Sequence, residues 1–112
     1  MPKSPQASSA VAVLVTNTRT IYKYPVTVYD DFVVELPEGA RVLTVDVQHG
    51  EPVMWAMVDP TAPTSKRHFR LIGTGHPIED AAALTFIGTF QMRDGALVFH
   101  LFEKPGVPKL LA

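Results

Sequence analysis

The chain gathers its reactive side chains in one stretch, Lys66 to Asp80, which reads KRHFRLIGTGHPIED. Those fifteen residues hold a lysine, two arginines, two histidines and a Gly-Thr-Gly turn. If Lys66–Leu71 is extended, its side chains alternate between two faces. Lys66, His68 and Arg70 then form one row, and Arg67, Phe69 and Leu71 the other. Cations so close repel each other unless carboxylates on a neighbouring strand or an anionic ligand answer them. Gly73-Thr74-Gly75 can curl the backbone into a nest of amide groups that holds an anion, or form a β-bulge or a tight exit turn. His76, just before Pro77, reads as a cap or turn residue. Lys66, His68, Arg70, Gly73, Thr74, Gly75 and His76 are therefore the candidate ligand-binding residues. The plainer reading is a solvated row paired with Asp or Glu on a neighbour, as charge rows usually are.

Several other chemistries lack their residues. The dinucleotide-binding fingerprint fails, because Ile78 stands where its third glycine would fall. The chain has no cysteine, which removes disulfides, thiolate nucleophiles and cysteine-ligated zinc. Ser65 is the only serine between the tails, and it has no nucleophile-elbow motif around it. His49, His68, His76 and His100 are widely separated, with none of the short spacings of zinc sites. His100, between Phe99 and Leu101, is expected as a half-buried strand residue with one satisfied nitrogen. Acid–base pairs between a histidine and Asp46, Glu51, Asp59, Glu79 or Asp80 have almost no specificity. No catalytic residue, metal ligand or cofactor is assigned.

The elements that must position these residues read as strands. TIYKYPVTVY, from Thr20 to Tyr29, is rich in β-branched and aromatic residues, with Tyr22, Tyr24, Val26 and Val28 on one face. Pro25 cannot donate to a ladder, which marks an edge strand. Tyr22 and Tyr24 on such an edge are candidates for a partner contact or a stacking platform. DFVVELP follows, then a Pro37-Glu38-Gly39 turn. RVLTVDVQ alternates, with Leu43, Val45 and Val47 facing one way, and His49-Gly50 closes a hairpin onto EPVMWAMV. That next strand is apolar on both faces and therefore central. KRHFRLIG comes next. Pro77, with Glu79 and Asp80 in the first turn, predicts one short helix near residues 77–83. Two carboxylates there oppose an anion, so a pocket in this stretch is expected on the strand side of His76. TFIGTFQMR and ALVFHLFE are joined by Asp94-Gly95, a strong hairpin signal. The predicted fold is all-β: an antiparallel sandwich or flattened barrel of seven strands, mostly in sequence-adjacent pairs, with Val11–Thr16 as an eighth.

A chain of 112 residues is one domain by length. Residues 1–19 read as a flexible leader, 20–103 as the β domain and 104–112 as a tail whose Leu110 and Leu111 could pack on the domain or a neighbour. A net charge of −1 gives no global field toward long nucleic acid. No apolar run approaches the ~20 residues of a bilayer span. Small sandwiches leave edges to cover, which favours a homo-oligomer.

IYKYPV, MWAMVDP, GTGHPIED, FIGTFQ and GALVFHLFE, spread over residues 20–103, resemble a family of small tailed-bacteriophage proteins known as a domain of unknown function. The resemblance carries no catalytic residues. It implies a phage product in the cytoplasm of the bacterial host. Small phage accessory proteins without enzymatic motifs bind a host enzyme or sequester a nucleotide signal of antiviral immunity. Combined with the basic row, it leads to the expectation of a non-enzymatic homo-oligomer that sequesters a small anionic ligand, a cyclic or linear nucleotide. The alternatives are a protein–protein inhibitor of a host factor acting through the Thr20–Val28 edge, a minor virion or assembly component, and a metal-independent nucleotide hydrolase or lyase with His68 or His76 as base.

Overall fold

The computed structural model describes residues 18–106. The strands are β1 (Thr20–Pro25), β2 (Asp31–Pro37), β3 (Arg41–Gln48), β4 (Glu51–Val58), β5 (Thr64–Gly73), β6 (Thr85–Met92) and β7 (Leu97–Glu103). They form two sheets, β1-β4-β3 and β2-β5-β7-β6, in which every pairing is antiparallel. The all-β expectation holds in its sandwich form, since the sheets do not close into a barrel. Only β3–β4 and β6–β7 pair with their sequence neighbours. β1–β4, β2–β5 and β5–β7 are long-range, because the chain changes sheet after β1, β2, β3–β4 and so must find non-adjacent partners. Val11–Thr16 and the tail leucines lie outside the described residues.

β4 is central in its sheet, as its two apolar faces require. Pro52, Met54, Ala56 and Val58 point into the sandwich and are buried. They meet Phe32, Leu36, Phe69, Leu71, Phe90 and Leu101 from the other sheet. Phe32 and Phe69 stack across β2 and β5 with ring centroids 5.5 Å apart. On β4's outer side Val53 is buried too. Lys23 of β1 contributes there by reaching across β4 to Gln48 of β3, Nζ to Oε1 2.7 Å, so that its methylenes cover apolar surface.

Local backbone chemistry sets the strand ends. His49 and Gly50, at φ 52° and 80°, make the expected two-residue hairpin between β3 and β4. The β6–β7 hairpin is longer than its Asp94-Gly95 signal suggested. Arg93, Asp94 and Gly95 all take positive φ, and Gly95 N–H and Ala96 N–H donate to Met92 and Arg93. A bulge between Val42 and Thr44 turns Leu43 outward, so the inward set of β3 is Val42, Val45 and Val47. At Gly88, where β6 bulges, an added Cβ would lie 2.9 Å from Val45 Cγ1. Only glycine lets the two sheets approach so closely along the β3–β6 side. The opposite side, between β1 and β2, is bridged by the Val26–Asp30 connection.

The short helix is a single 3-10 turn, Ala81–Ala83, and Pro77–Asp80 are not helical. Asp80 binds Arg70 instead of serving a helix start.

Candidate functional site

β5 is central in its sheet, between β2 and β7. Phe69 and Leu71 point inward and are buried, which directs Lys66, His68 and Arg70 to the outer face. One neighbour on that face is β2. Arg70 stands opposite Asp31, His68 opposite Val33 and Lys66 opposite Glu35. An acidic row thus answers the cationic one from within the same sheet. Arg70 is engaged twice, by Nε to Asp31 Oδ1 at 3.2 Å and by Nη1 to Asp80. Asp31 also receives Lys104 Nζ at 3.2 Å. Its carboxyl is held below the usual carboxylate range, first by the Arg70 hydrogen bond and then, against the cost of burial, by Lys104. Arg70 is raised for the reciprocal reason, led by Asp31.

Arg67, at the rim of the inner face, closes a second network. It makes a two-pronged pair with Glu103 and donates from Nη1 to the carbonyl of Ala40 at 2.8 Å. One guanidinium therefore ties β5 to β7 and to the β2–β3 corner. Nothing in the spacing of KRHFR marked Arg67 as the structural member. Its partner lies thirty-six residues away in sequence.

Gly73-Thr74-Gly75 is the tight exit turn of β5. His76 N–H donates to Gly73 O at 3.1 Å, with Gly75 at φ 91°. The His76 ring lies against the open face of Gly73, within 3.5–3.7 Å of where a Cβ would stand. His100, on the outer face of β7, is held through both ring nitrogens, Nε2 to Thr74 Oγ1 at 2.7 Å and Nδ1 to Thr89 Oγ1 at 2.8 Å. The expectation of one satisfied nitrogen understates this. Imidazole can be bridged in either charge state, since each hydroxyl both donates and accepts.

The turn and the Pro77–Asp80 segment fold back beside the start of β2 and leave an open cleft of about 520 Å³. Its lining includes Asp30, Asp31, Arg70, Ile72, His76 and Asp80, with Leu71, Pro77 and Glu79 completing it. Of the seven ligand-binding candidates, only Arg70 and His76 reach it. Lys66, His68, Gly73, Thr74 and Gly75 do not. The cleft includes Pro77, Glu79 and Asp80, so it does not stay on the strand side of His76. Four carboxylates against one paired guanidinium make it an acidic pocket. Among the described residues no group of three or more His, Asp or Glu is placed to hold a metal ion.

The partner-contact candidates lie elsewhere. β1 is an end strand, as Pro25 predicted. Tyr22 and Tyr24 share its inward-facing side, centroids 6.4 Å apart. Tyr24 packs on the core, and burial, followed by the charge of Tyr22, raises its phenol above the usual value. Tyr22 remains 43% exposed. Eight large hydrophobic residues are exposed among those described, and five of them, Ile21, Tyr22, Val28, Tyr29 and Val33, fall between residues 21 and 33. They line β1, its connection and β2, the side where the sandwich is open among the described residues.

The model of a domain of unknown function, DUF7352, matches residues 17–109. The chain belongs to that family. The match takes in all seven described strands, and with them both the cleft and the open side. Comparison with curated proteins and with solved structures finds no match. Among the described residues of this DUF7352 domain, no helix is long and apolar enough to cross a membrane.

Proposed function

We propose that the chain is a non-enzymatic binding protein whose working surface is the open β1–β2 side, and that its partner there is another protein. The observation that carries this is the clustering of exposed apolar side chains at residues 21–33, beside the end strand β1. Exposed apolar side chains beside an end strand suit a protein contact, with main-chain hydrogen bonds for affinity and side-chain pockets for specificity. The resemblance to small tailed-phage proteins supports a bacterial host cytoplasm as the setting and a host factor as the partner. Under the same resemblance a minor virion component is the other protein-contact role, and mass spectrometry of purified particles separates the two.

The test is quantitative capture from bacterial lysate on the immobilised chain. A host protein retained near one-to-one by the native chain, and lost with Tyr22→Lys and with Tyr29→Lys but not with Phe86→Lys, is the expected result. Identical retention by all four proteins overturns the reading.

A second reading, sequestration of a small anionic ligand, is favoured by the cleft, which brings Arg70 and His76 together in about 520 Å³. Its electrostatics count against a bare nucleotide, because Asp31 and Asp80 already answer Arg70 and Asp30 and Glu79 would face the phosphates. Calorimetry with cyclic and linear nucleotides tests it directly. Micromolar binding abolished by Arg70→Ala would establish it, and its absence on folded protein would remove it.

A further inference from the structure

We propose that the free edge of β1 pairs with the same edge of a second copy, joining two three-stranded sheets into one continuous sheet about a two-fold axis centred on Tyr22. This rests on reading the open side as a protein-contact surface: the second copy takes the β1 edge with Ile21 and Tyr22, and leaves Val28, Tyr29 and Val33 for a host partner.

The ladder geometry decides which backbone groups are free. Val26 N–H donates to Pro52 O at 3.0 Å. That bond continues the register in which Pro25 faces Val53 and Tyr24 faces Met54. In an antiparallel ladder hydrogen-bonded and non-bonded pairs alternate. Thr20, Tyr22 and Tyr24 therefore direct their N–H and C=O groups to β4, while Ile21, Lys23 and Pro25 direct theirs away. No strand pairs with that edge among the described residues. Pro25 has its missing N–H on the free side, so the β1–β4 ladder loses no donor to it.

Three two-fold registers keep both Ile21 and Lys23 in the pairing. Centred on Ile21, the register sets Lys23 opposite the partner's Arg19. Centred on Lys23, it sets two ammonium stems face to face and puts Ile21 opposite the partner's Pro25, which cannot return a bond. Like charges directly opposite destabilise a pair. Centred on Tyr22, no two cations face each other, and the partner's Pro25 falls opposite Arg19, outside β1, instead of opposite Ile21. Ile21 and the partner's Lys23 exchange both hydrogen bonds, twice by symmetry. The Lys23 ammonium is drawn back to Gln48, leaving its stem beside Ile21. Tyr22 meets the partner's Tyr22 in a non-hydrogen-bonded pair, with Cα atoms about 4.5 Å apart, where side chains pack closest. Ile21, 55% exposed, and Tyr22 are both covered.

The chain has no cysteine, so single thiols can read the register. Tyr22→Cys should oxidise to a covalent dimer under mild conditions, while Ile21→Cys and Lys23→Cys, which do not face themselves, should not. Light scattering on the native chain should give twice the chain mass, falling to one chain mass with Tyr22→Lys. A native chain that stays monomeric at about 100 μM, a cross-link strongest at Lys23→Cys, or a monomer whose Ile21 and Lys23 amides are nevertheless protected from exchange would each overturn the proposal. A monomer that still loses a protein partner with Tyr22→Lys would leave the contact-surface reading standing. A monomer indifferent to every substitution at residues 21–33 would remove both.

Discussion

β5 carries the densest set of ionisable side chains in the chain, and the fold engages both of its arginines itself. β1 carries one cation, Lys23, and leaves an edge that no strand pairs with among the described residues, with Ile21 and Tyr22 in the open. On β5, Arg67 is bound to Glu103 and Ala40, Arg70 to Asp31 and Asp80, and Lys66 stands opposite Glu35. On β1, Ile21 and Tyr22 are 55% and 43% exposed, along an edge that no strand pairs with among the described residues. Richness in functional groups marks where a fold satisfies itself across strands. A contact site is marked by what remains unsatisfied. The comparison predicts that substitutions on β5 act on stability, and substitutions on β1 act on association.

The largest effect is expected at Phe69, fully buried and stacked on Phe32. Phe69→Ala should cost about 3–5 kcal/mol in urea unfolding, from lost transfer free energy and the cavity left behind. Tyr22→Ser, at a site with nearly half its surface already in water, should change stability by under about 0.5 kcal/mol in the monomer. If the two losses were similar, β1 would be part of the core and the contrast would collapse.

Next is Arg67. Removing it leaves the Glu103 carboxylate and the Ala40 carbonyl without their donors at a half-buried rim. Arg67→Ala should cost about 2 kcal/mol, in line with hydrogen bonds to charged groups. Glu103→Gln, which keeps one acceptor for the guanidinium, should cost less. Equal stability of Arg67→Ala and the native chain would show β5's inner cation to be idle.

A comparable effect of a different kind separates the two sides of the sandwich. Gly88→Ala places a methyl group 2.9 Å from Val45 on the closed side. Overpacking of this sort costs about 1–3 kcal/mol. A thermal melt unchanged by the substitution would mean that the β3–β6 side yields as freely as the open one.

Much of this fold could be read from local patterns. Alternation, apolar runs and turn signals together located the seven described strands, the two-sided apolarity of EPVMWAMV made β4 central, and Pro25 marked β1 as an edge. Failures came where distance in sequence decides the outcome. The pairing of β2 with β5 brings Asp31 and Glu35 to the cationic row, and no spacing within KRHFR reveals that. The Glu79-Asp80 pair resembles a helix start, yet Arg70, ten residues earlier, captures Asp80 across the turn. Three alanines behind Asp80 then complete only one 3-10 turn. The bulge that exposes Leu43 has no local signal either, because it answers the register of β4. Of the site candidates, Tyr22 lies on the open side, and Arg70 and His76 share a cleft. Lys66 and His68 are members of a self-neutralising sheet face.

The smallest expected effect tests whether Arg70 belongs wholly to that neutralisation. Arg70 holds the Asp31 carboxyl below its ordinary 3.8, so the folded state binds that proton less readily than the unfolded chain. The resulting stability is fully present above the ordinary value and is lost as pH falls through the lower, folded one. Arg70→Ala removes the leading cause of the shift. The stability gap between native and variant should therefore be largest near neutral pH and shrink as pH falls below about 4, where the native chain loses the same interaction. Asp31 is exposed, so screening keeps the gap small at every pH. Urea midpoints measured near neutrality and near pH 2 give the comparison. A gap that does not change with pH would mean that Arg70 stabilises by packing its methylenes over the sheet. Its charge would then be less committed to Asp31, and the contrast between β5 and β1 would weaken at the one β5 cation that lines the cleft.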